Sequence, residues 1–340
     1  MTARRTIAIT LAALGIVAGA AGATTIKWVS VELGTHRFGR FRAPNAIVAR
    51  AGATEIGFKK RDGCGCLDGP QGPTLFDVAP NGSVWLLDVL NRRLLVWDRG
   101  RPARPSRTVA LKGLDVRNFA VGRDGTVYLY AVYADPPAGD SGANLWALSP
   151  EGKVRWRARA TIGDALRIGP DGALYTIGAF KRSWTPLTSA AGRPLPLGAQ
   201  RRRTVSFQPL PGGLHLVASQ VGPREAHFAL VDRSHAVVRA WRVRSRSALT
   251  LDQRALTPAL VRGELVAQLD FPQRAKLEHQ VLRLTPTGIG KSLALDAHTV
   301  WGDDGAASVT ALRVGPDGKL YQLRTNPKTG VSIARYSLRK

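Results

Sequence analysis

The chain has 340 residues, 44% hydrophobic and 21% charged, with 36 glycines, 21 prolines and two cysteines. A chain this long buries roughly three quarters of its extended surface, so it has no need of disulfide staples; Gly and Pro punctuating short apolar stretches exclude a bundle of long helices and point to an all-β chain rich in turns. The formal net charge of +25, carried mainly by arginine, suits contact with anionic polymers or membrane surface.

The first element is not a strand. MTARR supplies two arginines, and residues 6 to 26 carry no charge and end in small residues, the parts of a secretory signal peptide. An uncleaved anchor is the other reading, because 21 uncharged residues could just span a bilayer. Either way the remainder lies outside the cytoplasmic membrane, secreted or anchored. Removing residues 1–23, which hold two arginines and no acid, leaves +23. Residues 24–45 read as a linker, and 46–340 as the folded unit. Within its start, AIVARAG (46–52) and EIGFKK (55–60) offer a spare strand. Cys64 and Cys66 follow in a Cys-Gly-Cys. A strained local disulfide, free thiols, and a redox or metal role all stay open, although a metal site would need further ligands at sensible spacing.

From residue 76 one phrase recurs: FDVAPNGSVWLLD (76–88), FAVGRDGTVYLYA (119–131), LRIGPDGALYTIG (166–178) and LRVGPDGKLYQLR (312–324), with variants at 207–219 and 257–270. The turn glycines fall at 82, 125, 172, 213, 263 and 318. Asn-Gly and Asp-Gly favour the positive φ that hairpin turns demand, and the flanks alternate or run apolar as strands do. A second hairpin is expected after each first one, most clearly NLWALSPEGKVRWRARA (144–160), and also WTPLTSAAGRPLPLG (184–198). Two hairpins per 40 to 55 residues predict radially arranged four-stranded sheets, a six-bladed β-propeller. VSIARYSL (331–338) leaves the last blade one strand short, which predicts ring closure by the N-terminal spare strand.

FDVAPNGSVWLLDVLNRRLLVWDRG, with Asp88, Asn91 and Arg92, resembles an NHL-type propeller repeat. IGPDGALYTIG and LWALSPEGKVRWRARA resemble the repeats of pyrroloquinoline-quinone-type propellers, in which a tryptophan such as Trp156 packs between blades. These resemblances imply blades, not chemistry, and neither the cofactor nor the activity of those enzymes is carried over. No cofactor is expected.

Propeller geometry places the longer loops on one face, where binding usually resides. Their cations form a predicted basic rim: Arg92, Arg93, Lys181, Arg182, Arg201, Arg202, Arg203, Arg274, Lys276 and Lys328. A second candidate is the channel register. Counting back from the turn glycines aligns Asp77, Ala120, Arg167, Gln208 and Arg313 on the innermost strands; the fifth repeat cannot be assigned. Their neighbours are apolar, so side-chain alternation turns these polar members together toward the central channel, as a structural network or as a ligand-binding set of Asp77, Arg167, Gln208 and Arg313. The six histidines lack metal-ligand spacing, and no metal site or catalytic set can be nominated. The function expected is therefore a monomeric binding module at the cell envelope. Its partner would be an anionic envelope polymer, a membrane surface or an acidic protein. Nucleic acid is disfavoured by export and by the lack of an aromatic-basic motif. The competing expectation is a calcium-dependent hydrolase of the lactonase or arylesterase class working at the channel mouth.

Overall fold

In the computed structural model the described residues are 26–41, 46–51, 56–58, 72–100, 104–133, 142–163, 165–178, 183–251, 256–273, 276–297, 299–300 and 311–339. The signal or anchor segment, Cys64 and Cys66, Lys181, Arg182 and Arg274 lie outside them.

The chain opens with β1 (Trp28–Glu32) and β2 (Ala46–Ala51), then builds six sheets in order. The first blade is β3 (Phe76–Val78), β4 (Val84–Asp88), β5 (Arg93–Trp97) and β6 (Arg107–Ala110). The second is β7 (Leu114–Val121), β8 (Val127–Tyr133), β9 (Leu145–Leu148) and β10 (Val154–Ala158). The third holds β11 (Ala165–Ile168), β12 (Leu174–Gly178) and β13 (Ser183–Pro186). The fourth comprises β14 (Gln208–Pro209), β15 (His215–Gly222), β16 (Glu225–Val231) and β17 (Val237–Arg244). The fifth is β18 (Ala259–Val261), β19 (Glu264–Gln273), β20 (Lys276–Thr285) and β21 (Gly288–Asp296). The sixth has β22 (Leu312–Val314), β23 (Leu320–Asn326) and β24 (Gly330–Tyr336), and β2 pairs antiparallel with β24 from Ala46↔Arg335 to Ala51↔Val331.

This is a six-bladed β-propeller. Apolar clusters glue neighbouring blades face to face. Leu94 and Val96 meet Phe119 and Leu129 between blades one and two. Leu282 and Leu284 meet Phe228 and Trp241 between four and five. Phe76, Leu86 and Trp97 meet Leu323 and Ile333 between six and one, where the ring comes round.

Two blades depart from the four strands expected. Blade three has three, because Pro194 and Pro196 interrupt the next segment and proline cannot donate to a ladder. The chain makes only isolated bridges there, Thr188 to Pro194 before a short helix α1 (Leu197–Arg202) and Trp184 to Val205 after it. Blade four has five, because β1 lies parallel against β17, with Trp28 opposite Ala240 and Glu32 opposite Arg244. The stretch expected as a linker is thus partly built into a sheet. Val31 is buried in the core of blades four and five.

The repeated turns have a specific form. In the phrase at 79–83 the Ala79 amide bonds the Ser83 carbonyl and the Gly82 amide bonds the Ala79 carbonyl; residues 122–126, 169–173 and 315–319 do the same. Only the glycine adopts positive φ, at 84°, 80°, 86° and 69°, so each is a type I turn closed by a left-handed glycine. The preceding Asn or Asp contributes its side chain: Asn81, Asp124, Asp171 and Asp317 accept the amides of Ser83, Thr126, Ala173 and Lys319.

Candidate functional site

The innermost strands enclose a cavity of about 790 Å³. Every blade contributes: Asp77 and Val78, Val121, Arg167 and Ile168, Gln208 and Pro209, Thr257 to Val261, and Arg313 and Val314. The first-hairpin turns also line it, through Pro80, Arg123, Pro170, Pro211, Arg262 and Pro316. The cavity therefore opens on the face of the short turns, opposite the loop face on which sequence reading expected recognition.

The repeat phrase explains how the two buried cations are placed. Arg167 and Arg313 occupy the same position in LRIGPDG and LRVGPDG, between apolar neighbours that face the adjoining blade. Each guanidinium hooks back onto the preceding carbonyl, Arg167 Nη1 to Leu166 O at 2.6 Å and Arg313 Nη1 to Leu312 O at 2.9 Å. Arg167 Nε also donates to Thr257 Oγ1 at 2.8 Å. Arg313 Nε stands 3.4 Å from Asp77 Oδ1, and its guanidinium lies over the Phe76 ring. Asp77 is itself held, accepting the Val78 amide on Oδ1 and the Val121 amide on Oδ2, both at 3.0 Å. Gln208 donates to the Pro258 carbonyl. Among the predicted register, Asp77, Arg167, Gln208 and Arg313 share this wall, whereas Ala120 is packed away between blades two and three.

The electrostatics are lopsided. The described lining holds five arginines (123, 167, 262, 313 and 339) and two aspartates (77 and 317). Arg167 and Arg313 are 8% and 7% exposed. Burial first, then the neighbouring Arg313, holds the Arg167 guanidinium well below its ordinary value, against the pull of Asp77. Burial lowers Arg313 as well, and Asp77 opposes the shift.

Sequence reasoning missed the fifth blade's share, Thr257 and Pro258, and the three mouth arginines. Pro258 sits five residues before Gly263, the spacing of Asp77 from Gly82, so the turn glycine pointed to it. Arg339 had no such signal. It reaches the mouth because β24 runs toward the short turns, Tyr336 ending opposite Leu320, and the residues after it emerge beside the cavity.

The predicted rim divides. Arg201 and Arg202 are exposed in α1, with exposed Arg203 capping it. Arg92 and Lys328 are exposed on loops. Lys276 opens β20. Arg93 is committed inward: its Nε meets Asp88 Oδ2 at 2.9 Å, the oxygen that Asn91 also contacts, while Gly57 donates to Asp88 Oδ1. Three of the described histidines sit against carboxylates, His36 with Glu278 at 2.8 Å, His227 with Glu225 at 2.6 Å and His279 with Asp270 at 2.7 Å. Among the described residues no group of three or more His, Cys, Asp or Glu is placed to hold a metal ion.

Neither a protein-family profile nor a curated protein matches the sequence. Solved structures similar to the chain include Kuenenia stuttgartiensis hydrazine synthase, with 14% identity over 82% of this chain and 100% of that one, at a TM-score of 0.42. The chain is also similar to the pyrroloquinoline-quinone-bound aldose sugar dehydrogenase of Streptomyces coelicolor, with 13% identity, 86% and 96% coverage and a TM-score of 0.41. An inactive virginiamycin B lyase from Staphylococcus aureus, solved with quinupristin, gives 12% identity, 77% and 80% coverage and 0.38. At these values the likenesses add nothing to the six-bladed ring described above.

Proposed function

We propose that the protein is a recognition module for an anionic ligand or partner, acting outside the cytoplasmic membrane. The observation that carries this reading is the sign of the cavity wall, five arginines against two aspartates. The overall charge of +25 and the exposed cations at 92, 201, 202, 203 and 328 point the same way. Export rests on the N-terminal segment, and kinship with NHL-type or quinone-type propellers on the repeat phrases alone. Were that segment retained as an anchor, the direction of β1 would turn the cavity face toward the bilayer, because β1 runs parallel to β17, away from the short turns. A calcium-dependent hydrolase is the weaker reading, since calcium takes oxygen ligands and is repelled by an arginine-rich wall.

The test is retention on immobilised polyglutamate at low salt. The wild type is expected to bind and to elute as salt screens the charges, and the triple variant Arg201→Ala, Arg202→Ala, Arg203→Ala to elute at distinctly lower salt. Loss of retention by neither salt nor the triple change removes the rim from the account, and a calcium-dependent rise in Tm would favour the hydrolase.

A further inference from the structure

We infer that the central cavity is a binding site for a small organic anion carrying two or more carboxylate or phosphate charges, gripped at its floor by Arg167 and Arg313. The inference rests on the anionic-recognition reading above and gives it a location and a ligand class.

Size is the first argument. About 790 Å³ lies within the range of small-molecule sites, roughly 300–1,000 Å³, and far above what a few structural waters need. Pre-organisation is the second. The carbonyls of Leu166 and Leu312, Thr257 Oγ1 and Asp77 already fix both forks, so little side-chain freedom remains to be lost on binding. A planar guanidinium matches carboxylate and phosphate alike, two oxygens at a time.

Charge distribution is the third. Arg167 and Arg313 are more than nine-tenths buried, whereas Arg123, Arg262 and Arg339 are exposed at the mouth. Around the two floor arginines and up to the mouth the wall is proline and aliphatic side chains such as Ile168, Pro258 and Leu260. An anion with charges at both ends and a short organic body satisfies both tiers, and the apolar wall strengthens its attraction by excluding water. Burial already works against the charge of both floor arginines, and an entering anion offsets that cost. If the two cations served only to tie blades together, none of this would depend on a ligand.

Thermal unfolding of the full chain distinguishes the cases. Succinate and citrate form the carboxylate arm; inorganic phosphate and glycerol 3-phosphate form the phosphate arm; sodium chloride at matched ionic strength is the control. At least one arm is expected to raise Tm in a saturable way, and the arm that does so identifies the source. Arg167→Met is expected to weaken that binding at least tenfold while the ligand-free Tm holds or rises, because a buried charge has been replaced by an uncharged, flexible thioether. The exposed double variant Arg123→Ala, Arg262→Ala, which leaves the floor intact, should weaken it about threefold or more and guards against misfolding of the floor variant. Failure of both arms to exceed chloride overturns the inference, as does an undiminished shift in both variants. Retention on polyglutamate with no small-anion shift would sink the cavity and leave the recognition module standing. The converse result would remove the rim alone.

Discussion

At Gly169 and Gly315 a single missing methyl group lets the repeat phrase close on itself. A Cβ at these positions would lie 2.4 Å and 2.5 Å from the Cε2 atoms of Tyr175 and Tyr321. Each ring folds back over its own turn and donates to the turn aspartate, Tyr175 to Asp171 at 3.0 Å and Tyr321 to Asp317 at 3.1 Å. Burial first, and then the facing aspartate, pushes both phenols up in pKa. Gly169→Ala is therefore expected to destabilise the protein by about 1–3 kcal/mol through overpacking, read from urea unfolding midpoints. An unchanged midpoint would mean that the ring yields freely. The Asp-Gly turn was legible in the sequence because its conformational demand is local. The Gly–Tyr contact was not, since it arises only when the second strand returns across the turn.

At the scale of elements, the N-terminal strap shows where a pattern of short apolar runs stops being informative. WVSVE is only five residues long, and nothing in its spacing names a partner more than two hundred residues away. It becomes β1 because β17 offers an open edge, and the residues after it are pinned to blade five. His36 Nε2 meets Glu278 Oε2, the Gly39 amide donates to Glu278 Oε1 at 2.7 Å, and the His36 ring stacks on Phe271 at 4.2 Å between centroids. Both partners of the pair are about 5% exposed. His36→Ala leaves a buried carboxylate short of a partner and is expected to cost about 3 kcal/mol, whereas the double variant with Glu278→Gln should cost less than the two single losses together. A loss below about 0.5 kcal/mol for His36→Ala would show that the strap is only laid on the surface. Blade three carries the same lesson in reverse. Its WTPLTSAAGRPLPLG reads as a hairpin, but the prolines that punctuate it also prevent the outer strand, and α1 takes that place.

The whole molecule was the most legible level. Six turn glycines at near-regular spacing impose six sheets, and six sheets around an axis leave an enclosed space whatever the details of each blade. Which side chains enter that space followed from alternation, with a polar residue between apolar neighbours at 77, 167, 208 and 313. Which end of it opens did not follow, because loop length drew attention to the other face while the turns that frame the mouth are short. The division of charge is a property of the assembled ring: Arg123 comes from blade two, Arg262 from blade five and Arg339 from beyond blade six.

Amide hydrogen exchange with and without citrate tests this account most directly. It predicts slower exchange in the segments framing the cavity, residues 121–126, 168–173, 259–263 and 313–318, with residues 197–204 of the loop-face helix unchanged. Protection confined to 197–204, or no protection in any of these segments, would contradict it.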